Sequence, residues 1–249
     1  MADEIQQKIV QRIDQDFFSV TSDGWSQITK SPALLSVTLH HVNEYFERAD
    51  FVLDVIPMTN HTGIYIAEEI ANSLRTNGNP EKIICLVCDN AKNMIRASNI
   101  SNLNSFQCVC HFLHLVMGDV LGLPELAGLI SKIRSWVTFF RTSKGMSLLR
   151  GYQEKTNSKP KKLIMACPTR WNSTFEMMMA FREQKNVLLT IEGERRGFGV
   201  GPSKKSRLDI VAENLPNLEI TDFDFLRELC PLLGVFHRET LKASEICKN

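Results

Sequence analysis

Apolar and polar residues alternate cleanly from Ala33 to Val42, with Leu35, Val37 and Leu39 on one face and Ser36, Thr38 and His40 on the other. This periodicity predicts a strand with one buried face. The β-prone run Phe17–Thr21 predicts a strand before it, and Phe51–Ile56 predicts a third, stopped by Pro57. Short polar links join the three most simply as an antiparallel meander. The period then changes. Ile66, Ile70 and Leu74 recur along a helical face behind Thr62, a candidate N-cap, and Asn77-Gly78 closes the segment. Lys82–Cys88 is almost wholly apolar, the pattern of a strand buried on both faces in parallel pairing, which makes the preceding helix a crossover. A short helix at Ala91–Ala97, a strand at Phe106–Val109 and a helix at His111–Leu121 complete the order βββαβαβα.

Beyond Pro124 the strand signal ends. The segments ELAGLISKIRSWVTFFRTSKGMSLLRGYQEK, WNSTFEMMMAFREQKNVLLTI and DFDFLRELCPLLGVFHRETLKASEI all carry helical periodicity. The expected organisation is an α/β unit over residues 1–123 and an all-α unit over 124–249, with SKPKK as a basic loop and ERRGFGVGPSKKSR as a cationic connector.

A hydrophobic share of 43% over 249 residues is enough to fill a core and excludes a disordered tail. No run approaches the 18 or so apolar residues of a membrane span, and the polar start MADEIQQKIVQRIDQD is no secretory signal, so no membrane partner is expected. Seven scattered cysteines fit free thiols in a reducing, intracellular setting better than a disulfide framework.

Charge changes the picture more. The net +1 conceals a net −6 over residues 1–123, +11 over 124–207 and −4 over 208–249. A middle block this basic is a footprint for a polyanion, with solvated helical surface as the plain alternative. Within it, Lys161 and Lys162 of the basic loop are candidate phosphate contacts. Arg170-Trp171 pairs a phosphate binder with a stacking platform, against the alternative of a buried Trp anchor with Arg exposed; Thr169 or Asn172 would cap the helix that follows. Trp136 reads as core.

Two aspartates carry the candidate chemistry. Asp23, in TSDGW, stands where the first strand pattern ends, and Asp89, in CLVCDNAKNM, stands at a strand-to-helix turn. Alone, each has an ordinary structural role as turn or cap. On neighbouring strands roughly 4.8 Å apart, the two carboxylates would repel unless a hard divalent cation, Mg²⁺ or Mn²⁺, lay between them. Cys85, Cys88, Cys108 and His111 have a zinc-like spacing, but residues three apart on a strand point to opposite faces, so a structural zinc is not expected there. A local group of Cys108, Cys110, His111 and His114 is a weaker metal candidate. Gly197, Gly199, Gly201 and Lys204 do not have phosphate-loop spacing.

Read in order, TSDGW, SVTLHHVN, HTGIYIAEEI, CLVCDNAKNM, CVCHFLHLV and PTRWNST resemble blocks of the hAT superfamily of DNA transposases and its domesticated BED-zinc-finger relatives. The resemblance covers roughly residues 15–245. It implies an RNase H-like core, here a mixed five-stranded sheet of order βββαβαβ, interrupted by an all-α insertion domain, a metal-dependent DDE site and a nuclear location. It also implies that Asp23 and Asp89 match the first two catalytic carboxylates, Cys108 and His111 the C-x2-H element, and Arg170 and Trp171 the insertion-domain R-W pair, whose Trp stacks on a flipped base.

The family's third carboxylate lies in a Ser-Glu-Arg-like segment beside a dimerisation region, and no such segment precedes Asn249; no cysteine precedes Cys85 to build a BED finger. The expectation is a fragment or domesticated derivative that binds DNA with an incomplete DDE site and is not catalytic alone, forming a homo-oligomer only with a C-terminal region it lacks. The competing expectations are an active two-metal nuclease, recruiting Glu239 or Glu245, and a protein-interaction module without DNA binding.

Overall fold

Five strands form one mixed sheet because the alternating segments each leave an apolar face to bury. A computed structural model describes residues 16–25, 33–167, 170–197 and 215–246. The strands are β1 Phe18–Trp25, β2 Ala33–Val42, β3 Arg48–Met58, β4 Ile83–Cys88 and β5 Ser105–Gln107, in the order β3-β2-β1-β4-β5. β1, β2 and β3 pair antiparallel, while β4 runs parallel to β1 and β5 parallel to β4.

Helix α1, Gly63–Asn77, follows β3, and α2, Lys92–Ile100, follows β4. Thr62 caps α1 as its spacing predicts, its hydroxyl accepting from the Tyr65 N–H, and the Gly78 N–H closes the far end on the Leu74 carbonyl. Phe18, Val20, Leu35, Val37 and Leu39 line the buried sheet face and form one core with Ile66, Ile70 and Leu74 of α1 and Met94 and Ala97 of α2. Each such Leu or Ile contributes about 1.5–3 kcal/mol by leaving water.

Three boundaries depart from the sequence reading. Pro57 lies inside β3, opposite Leu34, instead of ending the strand. β3 is an outer strand of the sheet, where the N–H that Pro lacks is not required on the open side. β1 continues through Asp23 to Trp25, paired with β2. β5 is only three residues long, and Val109 belongs to helix α3, Val109–Leu121.

β3 also carries a bulge. Val37 pairs with Asp54 but Thr38 with Val52, so Leu53 is an extra residue between two regular stretches. The phase shift lets Phe51, Leu53 and Ile56 all pack on the core although their numbering breaks simple alternation.

The remaining α-helices among the described residues are α4 Pro124–Phe140, α5 Ser143–Lys155, α6 Trp171–Glu183, α7 Lys185–Arg195 and α8 Ile220–Ile246. Their apolar stripes meet in a second core containing Ile133, Trp136, Phe140, Met178, Phe181 and Phe223. Trp136 is a core residue, as read, and its indole N–H donates to the Pro216 carbonyl at 2.8 Å. The helical runs break at Arg141–Thr142 and at Gln184, while α8 runs on through Pro231. By contacts the chain divides into two compact units, Met1–Phe112 with Ala243–Asn249, and Leu113–Lys242.

Candidate functional site

The parallel pairing of β1 with β4 positions the two aspartates. Its ladder ends at Ser22 opposite Cys88, so Asp23 and Asp89 are the next residues on each side. β1 goes on beside β2, with Asp23 opposite Ser36, but β4 stops. Asp23 therefore stands where the sheet has lost its neighbour on one side, and it is exposed.

Electrostatics tie the pair together. The Asp23 carboxyl is held above the usual carboxylate range, first by partial desolvation and then by the negative charge of Asp89. The Gly24 N–H and the nearby His111 pull the other way without cancelling these effects. His111 reaches this site because the Cys108 N–H donates to the Cys88 carbonyl at 2.8 Å, fixing the start of α3 beside the end of β4.

Asp89 has a structural bond as well. One of its oxygens accepts from the Ala91 N–H at 3.0 Å, shaping the turn into α2 and leaving the other oxygen for a ligand. The turn is braced by the Asn93 amide, which donates to the His61 carbonyl at 3.1 Å. Gly63 permits this approach: a Cβ there would lie 2.7 Å from the Asn93 carbonyl oxygen. A cavity of about 110 Å³ opens at this corner, lined by Gly24, Trp25, His61, Asp89 and Asn93 among others.

The cysteines do not join them as a metal cage. Among the described residues, no group of three or more His, Cys, Asp or Glu side chains is arranged to hold a metal ion. Cys85 is half-buried and Cys88 buried, and burial raises the pKa of both thiols, aided at Cys88 by Asp89. The ring of His114 accepts from the Trp171 N–H at 3.4 Å.

In the helical unit the four cationic-loop and R-W positions separate into exposed and buried. Lys161 is paired with Glu183, and Lys162 and Arg170 are exposed. Trp171 is only 4% exposed, an anchor in the core of its unit with its ring edge-on to His237 at 6.2 Å. Its face is thus not open to a base in this structure. Arg170 takes the N-cap position of α6 without a side-chain cap, so Asn172 is not the cap; Ser173 instead accepts from the Cys167 N–H at 2.8 Å. Thr169, Gly199, Gly201, Lys204 and the side chain of Glu245 lie outside the described residues. Glu239 is paired with Lys242 at 3.0 Å.

Two clusters were not singled out from sequence. Thr21, His40 and Asp50 form a hydrogen-bonded chain of 2.8 and 2.6 Å, with Arg48 on Asp50, across β1, β2 and β3. Register alone brings these distant residues together, and the alternation of 33–42 had already placed His40 on the polar face. The second joins Lys161 and Lys162, already candidate phosphate contacts, to Arg141 and Arg150 at the α4–α5 corner, the arginines hidden because the helical pattern runs unbroken through Arg141.

Residues 106–211 match the family model of the ZBED1 RNase-like helical domain. No curated protein matches the chain. The family match supports a transposase-derived protein of the hAT/ZBED type. Among the described residues, no single helix is long and apolar enough to cross a membrane.

Proposed function

We propose that this chain is a transposase-derived nucleic-acid-binding protein of the nucleus, built on an RNase H-like sheet and unable to cut DNA by itself. The observation that carries the reading is the placing of Asp23 and Asp89 one residue beyond the last step of the β1–β4 ladder, in a sheet of order β3-β2-β1-β4-β5. Asp23, whose charge is disfavoured by burial and by Asp89 beside it, makes with Asp89 a fitting seat for one hard cation, and Mg²⁺ commonly uses only one or two protein carboxylates and completes its shell with water. Asp23 and the free oxygen of Asp89 would hold it. When bound, such a cation supplies positive charge that draws and orients a phosphodiester.

Strand cleavage in the resembled family needs a third carboxylate, and among the described residues none joins Asp23 and Asp89 as a metal-holding group. The chain's own groups accordingly serve binding and orientation: Asp23 and Asp89 at the sheet, and Lys161, Lys162 and Arg170 on the basic block. Trp171 supports this surface from beneath by fixing the start of α6.

The test pairs binding with cleavage. Labelled duplex DNA titrated with the chain at several salt concentrations should bind with an affinity that falls steeply as salt rises. Supercoiled plasmid with Mg²⁺ or Mn²⁺ should stay unnicked. Salt-insensitive or absent binding refutes the nucleic-acid reading, and robust nicking lost in Asp23→Asn refutes the non-cleaving one.

A further inference from the structure

The corner between α4 and α5 forms a cavity of about 380 Å³ whose lining includes Arg141, Arg150, Lys161 and Lys162 but no carboxylate. Its apolar wall includes Met146, which is 38% exposed, over the buried Leu149 and Leu163. Four cations brought to one concavity repel one another, and an anion in their midst removes that repulsion. Lys161 already pairs with Glu183, while Arg141, Arg150 and Lys162 make no ion pair with a carboxylate among the described residues.

The arrangement is fixed by packing instead of depending on loose surface side chains. Gln153, 2% exposed, donates through one amide nitrogen to the Lys161 carbonyl and to the Gln184 side chain, both at 2.8 Å. That pins the Lys161–Lys162 loop against α5. Gly145 allows the tight corner that sets Arg141 and Arg150 about one cavity, since a Cβ there would lie 2.1 Å from the Phe139 carbonyl oxygen.

We propose that this cavity is a subsite for one phosphate-bearing nucleotide of a single nucleic-acid strand, the phosphate resting among the four cations and the sugar against Met146. The inference rests on the nucleic-acid-binding reading and adds the place and the form of the ligand. The size lies in the range of small-ligand sites, at roughly 300–1,000 Å³. It admits one nucleotide, and a paired base reaches such a concavity only by leaving its stack.

The test uses the full chain and a labelled single strand of about 12 nucleotides, compared with the matching duplex. R141Q/R150Q should lose about tenfold or more in single-strand affinity with a shallower salt dependence, while duplex affinity falls less. R141K/R150K keeps the charge and should retain most of the binding; R134Q, on α4 outside the cavity, should change little. R150Q/K162Q, read in the same way, guards against a folding defect in the first pair, with melting curves recorded for all. Equal losses for the cavity pairs and R134Q, or equal losses on single strand and duplex, overturn the subsite but leave general binding standing. Absence of wild-type binding to either probe overturns both.

Discussion

Asp89 follows directly on Cys88, the last β4 residue paired with β1, and its charge helps to hold the Asp23 carboxyl above the ordinary range. Since a raised carboxyl pKa means that the folded chain binds this proton more tightly than the unfolded one, the ionised form of Asp23 lowers stability. Asp23→Asn should therefore raise the melting temperature at neutral pH, and the gain should vanish as pH falls through the raised pKa. Thermal melts across that range check the sign; a destabilised D23N would show that the pair does not conflict.

The same substitution should weaken cation binding. Mn²⁺ titration is expected to show about a tenfold or greater loss in D23N and in D89N, because each removes one of two hard ligands. In the wild type, affinity should fall with acidification at a pH above that of an ordinary aspartate. Unchanged Mn²⁺ binding in both variants would remove the cation from this site.

Glu192 is 3% exposed and accepts from the Arg195 and Arg196 side chains and from the Leu218 N–H. Burial would raise its pKa, but these bonds outweigh it and the net shift is downward. Its contribution is thus present above the unfolded value near 4.5 and is lost as pH falls through the lower folded value. Glu192→Gln should cost about 3 kcal/mol in urea unfolding at neutral pH, with a smaller difference from wild type at about pH 3.

Trp171 divides a structural from a contact role. Trp171→Ala should cost about 3–5 kcal/mol by opening a cavity in the second core, whereas Trp171→Phe should cost less and keep DNA affinity. A fully folded W171F that loses DNA binding would place the indole at the ligand after all.

Gly145 and Gly151 lie on the same helix and should respond oppositely to alanine. A Cβ at Gly145 meets the Phe139 backbone, while one at Gly151 meets nothing within 4 Å. Gly145→Ala should be destabilising by about 1–3 kcal/mol or more, and Gly151→Ala stabilising by up to about 1 kcal/mol. Unfolding curves of the two variants settle the point.

Much of the sheet was legible in the sequence because a half-buried strand writes its period openly, as Ala33–Val42 does, and because the apolar Lys82–Cys88 run implied parallel pairing, although β4 is not buried on both faces as that run suggested: Ile84 is exposed. That pairing is also what brought Asp23 and Asp89 to adjacent strands. Local pattern did not reveal where elements end. Val109 has equal claim to strand or helix until the hydrogen bond from the Cys108 N–H to the Cys88 carbonyl starts α3, and the pause at Arg141 looks like helix until Gly145 packs against Phe139. The orientation of Trp171 was equally hidden, since the R-W dipeptide does not state which face its core claims. The cationic cavity needed three dimensions, as its four charges come from the turn after α4, from α5 and from the loop beyond.

The unpaired Leu53 lets β3 absorb the loss of one residue at that point. Without it, Val52 and Asp54 become neighbours opposite Thr38 and Val37, and Phe51, Ile56 and Met58 still face inward opposite Leu39, Leu35 and Ala33. A deletion at any other position between Asp50 and Pro57 instead displaces a paired residue, so the tolerance of this strand to a change in length is confined to the bulge.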